Sequence, residues 1–179
     1  MGKLIARVIG VDPGKATGVS VMDLKHSTQP NGIFHNFTVQ PGLAFTHDEE
    51  GLASVVRILA QTVSEKLDAP LVIACEKYIV TRNSEQSQDI QPLRVTGLFK
   101  SIFEVLEIPH YYYEQMPSSA KMAFPNTRLA SFGLVAKSMD RHAMDAARHS
   151  AFWCLEYANA KVDLDKDHLV DPVTASTNP

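Results

Sequence analysis

Two runs rich in apolar residues, Leu4–Asp12 and Thr17–Leu24, stand four residues apart on either side of Pro13-Gly14. A link that short cannot join parallel strands, which need a crossover of about a dozen residues or more. The first run is rich in Ile and Val and reads as a buried strand; Pro and Gly break it, and the second run resumes as another. A hairpin is the simplest connection, and it leaves one carboxylate, Asp12, at the end of a buried strand. A phosphate-cradling loop would need a helix N-terminus directly after its glycines, and here a strand follows.

Further along, Gly32–Gln40 alternates as a third strand, and Pro41-Gly42 is expected to end the sheet run. Asp48-Glu-Glu50 puts negative charge at a helix start. Leu52, Val55, Val56, Leu59, Ala60 and Val63 then recur at helical spacing through about Leu67. Pro70–Tyr78 (PLVIACEKY) suits a central strand. Thr81–Asp89 is polar. Ile90–Glu107 predicts an amphipathic helix with Phe99, Ile102, Phe103 and Leu106 on one stripe. Pro109–Met116 predicts a fifth strand, Pro117–Val135 short helices split by Pro125, and Asp140–Ala160 a long final helix. The order β-β-β-α-β-α-β-α implies an α/β architecture: a five-stranded mixed sheet with helices on both faces, the pattern of the ribonuclease H-like fold. The domain is expected to span residues 1–160, with 161–179 a polar tail lacking structure.

The 179 residues suit one domain, and 45% hydrophobic with 21% charged residues is the composition of a soluble globular protein. No apolar stretch approaches the ~20 residues of a membrane helix. The N-terminal MGKLIARVIGVD has an Arg within its apolar run and no small-residue cleavage site, unlike a secretory signal. Cys75 and Cys154 lie in apolar surroundings and read as reduced thiols, so a cytoplasmic location is expected. A net charge of −3 argues against an all-over basic surface. Yet residues 77–148 hold nine Lys/Arg against seven Asp/Glu, enough for one face toward a polyanion.

Three acidic residues fall where such a sheet would gather them: Asp12, Glu76 at the end of the fourth strand, and Asp145 early in the last helix. A carboxylate in a hydrophobic strand is costly unless paired, hydrogen-bonded or metal-bound. Each also has a plainer reading. Asp12 can start a turn, Glu76 can mark the strand's emergence into solvent, and Asp145 can complement the helix dipole. His142, Asp145 and His149 share one helical stripe, while Ala143, Ala147, Ala151, Cys154 and Ala158 lie almost opposite. Periodicity alone leaves open whether the polar stripe faces solvent.

Four segments in order, GVDPGKATG, the strand Glu of VIACEKY, Pro117-Ser-Ser-Ala-Lys121 and His142-Ala-Met-Asp145-Ala-Ala, resemble the RuvC-type Holliday junction resolvases, or a phage-type variant of them, within the ribonuclease H-like superfamily. The resemblance spans residues 4 to about 155. It implies a metal site of Asp12, Glu76, His142 and Asp145, holding two Mg²⁺ ions ~3.5–4 Å apart, with Mn²⁺ an admissible substitute. It also implies Lys121 as the cation near the scissile phosphate, and it leaves His142 either a ligand or a proton carrier. The activity implied is a Mg²⁺-dependent endodeoxyribonuclease that resolves four-way DNA junctions by paired nicks. A C2 homodimer formed through the helix Ile90–Glu107 is implied with it, and a branch-migration motor is a conceivable partner. Lys77, Tyr78, Ile79, Arg82, Arg94, Lys100 and Arg148 are weaker candidates for DNA contacts. The chain departs from the family pattern at Ile79, where a junction-opening aromatic is expected, and it offers no clear second basic residue after Lys121. Broader branched or flap cleavage, junction binding without catalysis, and an acetate or sugar kinase-like ATPase are the rival readings; the last needs two such domains.

Overall fold

The computed structural model describes residues 2–28, 32–48, 51–64, 69–79, 90–136, 139–166 and 169–170. Strand β1 (Leu4–Asp12) turns through Pro13-Gly14 into β2 (Ala16–His26), and a single 3₁₀ turn (Gly32–Phe34) leads to β3 (Phe37–Asp48). Helix α1 (Leu52–Ser64), β4 (Leu71–Glu76), α2 (Gln91–Val105) and β5 (His110–Gln115) alternate as expected. Two short helices, α3 (Pro117–Ala123) and α4 (Asn126–Ser131), precede the long α5 (Arg141–Ala158), and β6 (Leu169–Val170) closes the order.

The strands form one mixed sheet in the order β3-β2-β1-β4-β5-β6. β1 is antiparallel to β2 and parallel to β4, and β4 is parallel to β5. Because side chains alternate along a strand, the sheet has two apolar faces. Ile9, Val11, Val19, Ile73 and Cys75 pack under α1 and α2 with Phe99 and Phe103. Ala6, Val8, Met22, Val72 and Ala74 pack under α5 with Ala147, Ala151 and Trp153. Helices on both faces were expected and are found.

Four expectations need amendment. The sheet has six strands rather than five, because Leu169–Val170 pair with Tyr111 and His110 inside the tail expected to lack structure; residues 171–179 lie outside the described residues. Pro41-Gly42 does not end the third strand. β3 lies at the sheet edge, where a missing N–H is tolerated, and its register with β2 shifts between Ser20 and Met22, so a bulge absorbs the Pro-Gly pair. The stretch Gly32–Phe34 is helical rather than extended, and Phe34 turns inward to stack on Phe124 and meet Phe132 edge to face. Helix α1 starts at Leu52, after Gly51 takes a φ of +82° that favours glycine; Asp48 belongs to β3, and Glu49-Glu50 lie outside the described residues. Among the described residues no helix is long and apolar enough to cross a membrane. Cys75 and Cys154 are free and buried, and burial pushes the Cys75 thiol up to about 11.

Candidate active site

Strands β1, β4 and β5 run parallel and end together, and their last side chains define the site. Val11 pairs with Cys75, so Asp12 and Glu76 follow side by side; Glu76 pairs in turn with Gln115. Val8 and Val72 face α5, and so does Tyr113. By the two-residue period Asp12, Glu76 and Gln115 point to that same face. Carboxyl ends of parallel strands are where open α/β sheets place their ligand sites.

Helix α5 supplies the rest because it lies unusually low on the sheet. A Cβ on Gly18 would collide with the His142 carbonyl, and one on Gly10 with the Ala146 carbonyl and the Ser150 hydroxyl. These two glycines, opposite Asp12 and Ser20 across the hairpin, let the helix backbone settle against β1 and β2. The hydroxyls of Ser20 and Ser150 bond at 2.8 Å in the buried contact. The helix N-terminus is pinned as well. Asp140 Oδ1 accepts from the His142 N–H at 2.8 Å and from Thr46 Oγ1 at 2.7 Å, an N-cap tied to the edge strand.

The stripe left open by periodicity is largely covered. Asp145, Arg148 and His149 are buried together with the alanine face, and α3 and α4 pack over the helix from the other side. His142 Nδ1 lies 2.9 Å from Asp12 Oδ2. His149 Nε2 lies 3.0 Å from Glu76 Oε2 and its Nδ1 2.9 Å from the Gln115 amide. Asp145 pairs with Arg148, one turn on, and with Lys121 Nζ of α3 at 3.8 Å. Arg148 also donates from Nε to the Phe124 carbonyl at 2.7 Å and from Nη2 to Asn126 Oδ1.

The structure thus brings Asp12, Glu76, His142, Asp145 and Lys121 to one edge of the sheet. Lys77 and Ile79 follow β4 on the exposed surface, with Tyr78 between them partly buried. Arg94 is exposed on α2; Lys100 pairs with Glu114 and covers the Tyr112 ring. Arg148 is buried within the site rather than displayed on the surface, and Arg82 lies outside the described residues. Two residues were not singled out from the sequence, His149 as a site residue and Gln115. His149 had a signal in the His142–Asp145–His149 stripe, whereas Gln115 becomes visible through its register with Glu76.

Electrostatically this is an acidic cluster held by cations and imidazoles. Burial pushes the Asp12 carboxyl above its ordinary value; the bond to His142 opposes this and the charge of Glu76 adds to it. Burial works against Glu76 too, but the bond from His149 and the charges of Lys121 and Arg148 outweigh it and hold Glu76 below the usual carboxylate range. Burial lowers Arg148, and the charges of Asp12 and Glu76 counter it. Among the described residues no three His, Cys, Asp or Glu side chains converge as metal ligands. Instead the carboxylates face nitrogen partners. The donor set itself fits a hard divalent cation: three carboxylates and one imidazole, two of the carboxylates repelling each other at a partly desolvated edge.

Fold and site together define a ribonuclease H-like α/β domain with a carboxylate cluster at the carboxyl ends of its parallel strands. No family model and no curated protein sequence matches the chain. Among solved structures it is similar to RuvC of Thermus thermophilus, with a TM-score of 0.59 and 14% identity over 86% of this chain and 96% of that one. It is also similar to T. thermophilus RuvC in complex with Holliday junction substrate, with a TM-score of 0.56 and 14% identity over 87% and 95% of the two chains. At that identity the likeness establishes the fold.

Proposed function

We propose that this chain is a metal-dependent endonuclease that resolves four-way DNA junctions by paired nicks. The observation that carries the reading is that Asp12, Glu76 and His142 lie together at the carboxyl ends of β1 and β4, with Asp145 one turn along α5 from His142 and paired with Lys121, in a fold shared with a protein solved on a Holliday junction. Asp12, Glu76, Asp145 and His142 are the residues that would hold two Mg²⁺ ions, or Mn²⁺ in their place. The chemistry such ions supply when bound is activation of water and neutralisation of charge on a phosphodiester. Lys121, half exposed beside Asp145, presents its ammonium to the phosphate as negative charge develops. His142, with its Nδ1 2.9 Å from Asp12 Oδ2, orients that carboxylate. A junction has two-fold symmetry, so a C2 homodimer matches it with one site for each nick. The exposed Ile79, where the family pattern has an aromatic residue, favours broader branched-DNA cleavage as the second reading.

The test is incubation of the protein with an end-labelled synthetic four-way junction, a flap and a matched duplex, each with Mg²⁺, Mn²⁺ or EDTA. Symmetric nicks near the crossover, requiring metal and lost in Asp12→Asn, are expected. Equal cutting of flap and junction would select the broader reading, and binding without nicking would remove the nuclease. His142→Asp should shift preference from Mn²⁺ toward Mg²⁺ if His142 is a ligand.

A further inference from the structure

We infer that Gln115 and His149 form a buried brace that fixes His149 as its Nε2–H tautomer and thereby aims the Glu76 carboxylate; the brace deepens the nuclease reading, because it assigns two positioning residues to that site. Neither residue belongs to the four segments that resemble the family.

His149 is 1% exposed and Gln115 5%, so their polar atoms must find partners inside the protein. The Gln115 amide has one orientation that satisfies both of its ends. Its nitrogen then donates to His149 Nδ1 at 2.9 Å and to the His149 carbonyl at 3.1 Å, while its oxygen accepts from the Trp153 N–H at 3.3 Å. The amide therefore docks on one turn of α5, against the N–H and C=O groups of residues four apart. With Nδ1 accepting from the amide, the ring N–H that donates is Nε2. That proton points at Glu76 Oε2, 3.0 Å away.

The backbone makes this geometry stiff. Glu76 and Gln115 are register partners on parallel strands, and the Lys77 N–H bonds the Gln115 carbonyl at 2.8 Å just beyond them. The imidazole thus spans from the end of β5 to the end of β4, seated on a helix held low by Gly10 and Gly18. A free Glu side chain samples several rotamers; one bonded to a buried, tautomer-locked imidazole is held ready. Groups that orient ligating side chains in this way typically change metal affinity or activity ~10–100-fold when removed.

The test uses the full chain and two readouts. Nitrogen NMR of histidine-labelled protein, without metal, is expected to show the His149 proton on Nε2 with Nδ1 accepting; Gln115→Leu is expected to mix the tautomers. On the four-way junction, His149→Phe is expected to raise the Mg²⁺ concentration for half-maximal nicking ~10–100-fold. His149→Gln, whose amide can still donate to Glu76, is expected to recover most of that loss. A proton on Nδ1 would overturn the brace, as would His149→Phe and His149→Gln behaving alike. If His149→Phe does not fold, the tautomer and the His149→Gln titration decide. Failure of the wild-type protein to nick any junction would sink the nuclease reading, while the NMR result still decides the brace.

Discussion

Gly18 and His142 meet backbone to backbone: the hairpin strand has no side chain where the first turn of α5 crosses it, and a Cβ there would collide with the His142 carbonyl. The GVDPGKATG segment therefore does two jobs. Its first half ends in Asp12, and its last glycine lets the helix bring His142 within 2.9 Å of that carboxylate. Gly18→Ala should lift the helix N-terminus, costing about 1–3 kcal/mol as an overpacked contact and most of the nicking activity. Gly14→Ala is the control, because a Cβ there meets just the Ala16 carbonyl at 3.4 Å. Urea unfolding and junction cleavage of the two variants check this; equal effects would mean that the crossing is not held by Gly18.

Asp12 and Glu76 carry opposite pKa shifts, so neutralising them should move stability in opposite directions. Burial, with Glu76 adding, raises Asp12 above its ordinary 3.8. Its stabilising contribution is then present below 3.8 and is lost as pH rises through the raised value. Asp12→Asn, whose amide oxygen can still accept from His142, is expected to be at least as stable as wild type near neutral pH although inactive. Glu76 is held below its ordinary 4.5 against burial by His149 and the nearby cations. Its contribution is present above 4.5 and is lost as pH falls through the lowered value. Glu76→Gln should therefore be less stable near neutral pH, with the difference closing in acid. Chemical denaturation across the acid range reads both curves, and shifts of the same sign at neutral pH would refute this electrostatic account.

Much of this arrangement was legible in the chain because it rests on local signals. The hairpin followed from Pro13-Gly14 between apolar runs, and the α2 and α5 spans from apolar spacing. Asp12 and Glu76 stood out because carboxylates at the ends of buried strands need a reason. What was not legible depends on packing across the sequence. Pro41 reads as a terminator until the edge position of β3 and its bulge are known. Arg148 reads as a surface cation until α3 and α4 cover the helix and Asp145, Phe124 and Asn126 take its donors. Gln115 carries no pattern at all, because its partner His149 lies 34 residues away and the contact depends on strand register. The two residues Leu169–Val170 are too few for periodicity to mark as a strand.

Lys121 stands on α3 with its ammonium 3.8 Å from Asp145 and half exposed, close enough to reach a phosphate drawn to the carboxylates. Lys121→Met should leave junction affinity nearly unchanged and lower the nicking rate about 10²-fold, the scale for losing one group that stabilises developing charge. Single-turnover cleavage alongside a binding titration separates the two effects. If affinity falls as much as the rate, Lys121 is an ordinary phosphate contact.

On the face opposite α5, helices α1 and α2 present apolar side chains to solvent. Val105 is 80% exposed, Ile58 63% and Leu93 51%, and Leu98, Ile102 and Leu106 line a groove of about 310 Å³ between the helices. Exposed apolar side chains on one helix pair suit an association surface, and a second copy of the chain related by a two-fold axis would give the paired geometry that a junction requires. The wild-type protein is therefore expected to be a dimer by light scattering. Val105→Glu adds a charge at a position that supports no core contact, so it should yield a folded monomer with wild-type thermal stability. On the junction that monomer should leave singly nicked product where the dimer releases two duplexes. A monomeric wild type, or a Val105→Glu dimer that still resolves junctions, would move the two-fold contact away from this face.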